Sequence, residues 1–523
     1  MPKTIAMNVN LTWRRKRKSL ADNPRESIIS ADHTDHKWEL YKAVMVASLS
    51  EGGGPADASR RVAWLSLKSL IRKNDPEFVA KLAIYMLEQM HSREISFLLS
   101  AALAVQPGQG AGVAALTERI LQQPAWIAEW LEGYARVYQD HHGKTFNRPG
   151  RQLVKTLSPV FNRLDEFQYT RYDRRQQDQF RKALVLVKPA AKDRPQQALF
   201  GKILKDQLPA RRGWQEELDA IRKQHDDSPA LKRTALKNKW EALILSWKIS
   251  YNDLLDQLPA ILQAGVSGKA LQLLAQYLGN AGAVAKNGRL AFRYLEAYRK
   301  VRSSGHHRTG PLLEAFEKAA ILSAPNIGGF TADTRVLLAM DVSNSMKRAV
   351  EEDSSVDRFD IAPLLGMSLQ YLCSRVTTGL FGNTWKPVSL PGKNMLGELD
   401  AFQAREGEVG YAANGYLVIG ELIRKNLVTD KILLFTDCRL WNNRQPNQSP
   451  GMDIARLWRQ YKQMAPHAQL YLFDLAAYGS SSVEVLPDDV YLVSGWNDRI
   501  FAVLKALEKS MCAVECIDFT ISF

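Results

Sequence analysis

Cysteine is scarce: four occur among 523 residues, at Cys373, Cys438, Cys512 and Cys516. They have neither the density of a disulfide framework nor zinc-knuckle spacing, so reduced thiols in an intracellular protein are expected. No apolar run approaches the roughly 20 residues of a membrane span. The opening MPKTIAMNVNLTWRRKRKSL lacks the apolar core of a signal peptide. A soluble cytoplasmic protein with no membrane partner is the expectation. The first 330 residues also lack a Walker sequence and any cluster of carboxylates suited to cleaving or ligating phosphodiesters. "PGQGAG", from Pro107, has a Gly-x-Gly spacing without a Gly-Lys-Ser/Thr ending and reads as a loop between helices.

Negative charge is short as well, but only in one part of the chain. Residues 1–330 hold 51 Lys+Arg against 32 Asp+Glu, a net of +19; residues 331–523 hold 19 against 23, a net of −4. A basic module fused to a slightly acidic one suits a polyanion partner for the first. The same charge would also suit a solvated helical surface. The length calls for two or three domains, and the charge divides the chain into 1–330 and 331–523.

From 37 to about 320 the sequence reads as helix after helix. "KWELYKAVMVASL", "PEFVAKLAIYMLEQM" and "SREISFLLSAALAV" carry apolar residues at three- and four-residue spacing. Proline and glycine punctuate the series, and no strict period appears. An irregular helical-repeat array of the HEAT kind is expected. "DHTDH" (32–36) reads as capping before the first helix, and "HHGK" at His141 as a loop. Arg14–Lys18 beside Trp13 suits phosphate contact or a solvated tail.

After "PNIGGFTADT" short apolar runs alternate with helical stretches. Strands are predicted at Val336–Met340, Val376–Phe381, Lys431–Thr436, Gln469–Leu475 and Val490–Val493. Helices are predicted at Ile361–Leu372, Gly415–Ile423, Ile454–Met464 and Asp498–Lys509. That alternation describes a doubly wound α/β domain with a mainly parallel sheet, whose ligands bind at the carboxyl ends of strands. "VLLAMDVSNSM" sets Asp341, Ser343 and Ser345 at one such end, and "KILLFTDC" sets Asp437 at another. One carboxylate and two hydroxyls at alternate positions, with a second carboxylate, suit a hard divalent cation such as Mg²⁺. The same serines would also suit a capping loop with no metal. No histidine or lysine is paired with these aspartates, so no catalytic residue is assigned.

The Asp-x-Ser-x-Ser loop resembles the metal-ion-dependent adhesion site of von Willebrand factor A domains. The resemblance implies a further threonine ligand, and Ala413 of "VGYAANGYLV" stands in its place. A basic helical array followed by an A-like domain resembles the Ro autoantigen and its bacterial relatives, which carry the TROVE domain. Local matches are "LYKAVMVASLSEGGG" (40–54), "RYDRRQQDQFRKALVLVKP" (171–189) and "FRYLEAYRKVRSSG" (292–305). The resemblance implies an α + α/β protein: a HEAT-like ring closed by a von Willebrand factor A-like domain.

It also implies a non-catalytic, monomeric ribonucleoprotein component acting in noncoding RNA quality control. Such a protein binds Y-like RNA and the single-stranded ends of misfolded RNA, and tethers RNA to an exoribonuclease such as polynucleotide phosphorylase. Arg171, Arg174, Arg175, Arg181 and Lys182 would share one side of a helix and form a basic stripe, with Tyr172 placed to stack on a base. The family's segment has histidines that "QQDQF" lacks. A metal-dependent protein-interaction adaptor and an RNA-processing enzyme are the other function classes; nucleic acid co-purifying with the protein separates the first from the RNA reading.

Overall fold

The computed structural model describes residues 24–50, 64, 67–108, 110–210, 213–224, 227–350, 354–392, 394–438, 440, 453–476, 482–508 and 510–522. Arg14–Lys18, and the Ser-Glu-Gly-Gly turn apart from Ser50, lie outside them. Helices follow one another from Pro24–Ala47 to Gly310–Leu322, with no strand among the described residues of that region. Each packs mainly on neighbours a few places along the chain: Pro76–Glu88 on Arg93–Ala104, Gly110–Ile120 on Arg151–Phe161, Gly268–Leu278 on Gly310–Leu322. That is the contact pattern of a helical-repeat array. The inward stripes supply its core, as in Phe78, Leu82 and Met86 of the Pro76–Glu88 helix, all buried.

Three local expectations fail, the first only in part: "PGQGAG" is a loop up to Gly108, but its last three residues open helix Gly110–Ile120. Helix Pro24–Ala47 begins well before "DHTDH", so residues 32–36 lie inside it and do not cap it. His141 and His142 form the last turn of helix Trp126–His142, which ends at Gly143 in the left-handed region (φ 67°); the loop starts there.

The second part is a seven-stranded sheet: β1 (Arg335–Asp341), β2 (Arg375–Phe381), β3 (Trp385–Pro387), β4 (Lys431–Thr436), β5 (Gln469–Asp474), β6 (Ser482–Leu486) and β7 (Val490–Ser494). Their order is β3-β2-β1-β4-β5-β7-β6. The five predicted strands are the parallel ones. β3 and β6, both unpredicted, pair antiparallel at the two edges. Helix Arg358–Gln370 packs on β1 and β2 on one side and on helix Ala291–Ser303 on the other, which is why nearly every residue in it is buried. Helices Tyr416–Arg424 and Ile454–Met464 cover the other face around Trp458 and Tyr461. The chain closes with Ile500–Glu508 and a further helix, Ser510–Thr520.

The array closes on itself through this sheet domain. At one end Tyr41 donates to the carbonyl of Ala506 (3.2 Å), and Lys37 pairs with Asp518 at 2.5 Å. At the other, Arg299 pairs with Asp360 at 2.5 Å and Asp400 at 3.0 Å, while Glu317 accepts from the backbone of Leu396 and Gly397. The turn between β7 and the next helix holds both ends at once. Asn497 donates to Leu49 O (3.0 Å) and Arg499 to Met90 O (3.0 Å), near the start of the array. Between them Asp498 takes Arg289 (2.6 Å) and Arg293 (3.1 Å), near its end. The architecture is a helical ring fastened by an A-like domain.

Candidate nucleic-acid surface and carboxylate–hydroxyl cluster

The basic stretch 171–182 is two elements. Asp165 and Gln168 form a capping box that opens the short helix Glu166–Thr170, and Arg171 is its C-cap. A second box, Asp173 with Gln176, opens helix Arg174–Val187. Arg171 therefore does not lie on the helix that carries the other four cations. Those four also divide. Arg174 binds Asp206 through both terminal nitrogens (one at 2.7 Å), and Arg181 reaches Asp178 at 2.6 Å and Asp206 at 3.1 Å. The bond from Arg174 holds the Asp206 carboxyl below its ordinary range, so it stays ionised and neutralises its partners. Arg175 and Lys182 remain exposed and without an ion-pair partner among the described residues. Seven residues apart, they share one side of the helix.

Tyr172 is half-buried, packed against the core and edge-on to Tyr169 at 6.2 Å. Burial pushes its hydroxyl pKa up, opposed by a hydrogen bond with the Ala125 backbone. It is not an open stacking face. Phe167 is, at 68% exposure, with the Arg171 guanidinium 5.4 Å above its ring. The signal that would have found it is Asp165-x-x-Gln168. That box fixes a helix at 166, and with Tyr169 turned inward, Phe167 two residues earlier falls on the opposite side.

At the carboxyl edge of the sheet the parallel register sets Met340 opposite Phe435, which brings Asp341 beside Thr436. Thr436 donates its hydroxyl to Asp341 Oδ2 at 2.7 Å, and the Ser343 amide donates to Oδ1 at 2.9 Å. The Ser343 and Ser345 hydroxyls lie 3.1 Å apart. Asp341 is 2% exposed, and burial pushes its carboxyl above the ordinary range against those two hydrogen bonds. The loop that follows Asp341 is pinned by the Gly407 amide donating to Val342 O (2.9 Å). Gly407 and Gly410 belong to the connection that leads to Ala413, and Gly410 is held at φ 83°, where a Cβ would meet Asn383 at 2.4 Å.

Asp437 differs from the other three predicted ligands. The buried Arg358 guanidinium donates to its Oδ2 at 3.4 Å, so a positive charge already faces it. Among the described residues no group of three or more His, Cys, Asp or Glu side chains converges as a metal site. A cation here would rest on hydroxyls. The Asp341 side, with a carboxylate and two adjoining hydroxyls, has the donor set of a hard-cation site. Thr436 and Arg358 were not foreseen, because both reach the cluster through pairings distant in sequence.

Cys373, Cys438 and Cys516 are free thiols. Among the described residues no helix is long and apolar enough to cross a membrane. No protein-family model matches the chain, and no curated protein does. Among solved structures it is similar to the Ro (RSR) protein of Deinococcus radiodurans. The TM-score is 0.65 at 15% identity, and the match covers 91% of this chain and 100% of that one. At that identity the likeness speaks for the fold: a helical ring joined to an A-like sheet domain.

Proposed function

We propose that the chain is a non-catalytic RNA-binding protein of the Ro kind. The observation that carries the reading is the location of the charge in the sequence: the whole positive excess, +19, lies in residues 1–330, the part that contains the helical ring, and residues 331–523 are net −4. Counterion release from phosphates would then supply most of the affinity, with little sequence dependence. Exposed Phe167, backed by Arg171, adds a face on which an unpaired base can stack. Small structured Y-like RNAs and the single-stranded ends of misfolded RNA are the ligands that suit this surface. An exoribonuclease that receives such RNA is the partner, and noncoding RNA quality control the setting. Titrating labelled single-stranded RNA against the full chain tests the reading. Affinity should fall by about 10³-fold or more between 50 and 200 mM salt if about six phosphates are contacted. A flat salt profile, or a preference for duplex DNA, would sink it.

We propose further that the loop opened by Asp341 takes Mg²⁺ or a similar divalent cation, which would offer an open position to an acidic group of a protein partner. Asp341, Ser343 and Ser345 would hold it, with Asp437 acting through water because Arg358 already faces that carboxylate. Ala413 brings no hydroxyl, so Ala413→Thr should tighten binding, and Asp341→Ala should abolish it while leaving RNA affinity unchanged. Calorimetry with Mg²⁺ and Mn²⁺ on the three proteins decides this; no heat from the parent at millimolar metal reduces the loop to a capping device.

A further inference from the structure

Helix Pro229–Ser246 ends on Trp247, held at φ 50°, ψ 32°. This is the left-handed region, where side chains larger than those of glycine and asparagine are disfavoured. The indole is nevertheless 45% exposed. Its ring centre lies 4.4 Å from that of Tyr277, and Tyr277 lies 5.6 Å from Tyr251. Trp247, Tyr277, Leu273, Gln276 and Asn280 line an open cleft of about 350 Å³. Asn280 uses its carbonyl oxygen to cap the next helix, accepting from Ala283 N at 3.0 Å, and its amide nitrogen has no partner among the described residues. The exposed Gln276 amide has none either. Residues 229–248 carry five Lys or Arg against the single acid Glu241, and Lys248, next to Trp247, is exposed and forms no ion pair among the described residues.

We infer that this cleft seats one unpaired nucleobase of a single-stranded RNA. The inference rests on the RNA-binding reading and gives it a second, separate contact. The base would stack on the Trp247 indole, its polar edge meeting the Gln276 and Asn280 amides, its phosphate lying toward Lys248. The volume is at the small end of ligand sites, enough for a base and too small for a folded partner. The flat aromatic wall with amides beside it matches a base, which has both a π-face and hydrogen-bonding edges; an acidic peptide would use only the charge. A strained, half-exposed tryptophan is the kind of local conflict that accompanies binding sites.

The strain makes the test clean. Trp247→Gly removes the ring and relaxes the backbone, so thermal melting of the full chain should hold; Trp247→Asn, also tolerant of that backbone, is the second variant, and Trp247→Phe keeps a stacking face. Anisotropy with labelled dodecauridylate, in low salt, should show Gly and Asn variants weakened by about 5- to 150-fold, corresponding to about 1–3 kcal/mol, with Phe between them and the parent. A 4-thiouridine oligonucleotide should crosslink to the peptide carrying Trp247 or Tyr277. Equal affinity in parent and variants, or crosslinks only elsewhere, overturns the cleft and leaves the RNA reading standing. Loss in the variants of polyglutamate binding instead of oligonucleotide binding overturns it as well. A parent that binds no single strand at all overturns both.

Discussion

Of the four stripe cations on helix Arg174–Val187, Arg175 and Lys182 are the two that no carboxylate among the described residues holds, and this changes which substitution is informative. Reversing Arg174 would also break its bonds to Asp206, mixing a folding effect with a binding one. Arg175→Glu with Lys182→Glu should instead lower RNA affinity at all sequences alike and reduce the salt slope by about 2, at unchanged melting temperature. An unchanged slope in the filter-binding series would assign both residues to a solvated face. Asp341 invites the opposite kind of experiment. Its charge is 2% exposed and sustained by hydrogen bonds from Thr436 and Ser343. Asp341→Asn keeps the shape and removes the buried charge, so it should raise stability in chelator by about 1 kcal/mol. The same variant should lose any Mg²⁺-dependent rise in melting temperature, which differential scanning calorimetry reads directly.

Between elements, the group that joins β4, β5 and helix Ile500–Glu508 is Lys431. Its amine, on a side chain 8% exposed, pairs with Glu508 at 2.7 Å, and Tyr471 donates its hydroxyl to the same carboxylate. Burial lowers the Lys431 pKa, with Glu508 opposing. The unfolded chain therefore holds that proton more tightly than the folded one. Its contribution to stability rises with pH from the lowered value up to the ordinary one of about 10.4. Lys431→Met should flatten that rise in urea melts on the approach to about pH 10. Near neutral pH it should cost about 3 kcal/mol by leaving Glu508 buried without its cation, and adding Glu508→Leu should recover most of the loss. A single variant as stable as the parent would mean that the pair is dispensable.

On the scale of the whole molecule, the ring depends on the turn after β7. Trp496 packs edge-on to Phe292 at 6.1 Å, and the next three residues bind both ends of the helical array. Asp498→Ala would leave Arg289 and Arg293 facing an apolar side chain where a 10%-exposed carboxylate stood, a loss of about 3–5 kcal/mol. Hydrogen exchange should then quicken in helices Ala291–Ser303 and Pro24–Ala47 together, although they lie at opposite ends of the array. Faster exchange confined to the first of them would show that the two seams open independently.

Sequence by itself determined the elements whose signals are local. Apolar spacing marked the helices, and the buried runs marked the five parallel strands, whose ends differ from prediction by one residue or none. Edge strands β3 and β6 escaped because a short strand paired on one side carries little hydrophobic signal. The basic segment broke in two because consecutive capping boxes outweighed a face drawn from charges alone. Tertiary structure alone decided which charges are free. Asp206 neutralises Arg174 from 32 residues away, Arg358 faces Asp437 across 79, and Thr436 meets Asp341 across 95. The reason is that an ion pair or hydrogen bond needs proximity in space, and separations of that size are set by how sheet register and helix packing bring the chain back on itself. Composition established that one part is basic; the fold left Phe167, Arg175, Lys182 and Trp247 of that part exposed to solvent.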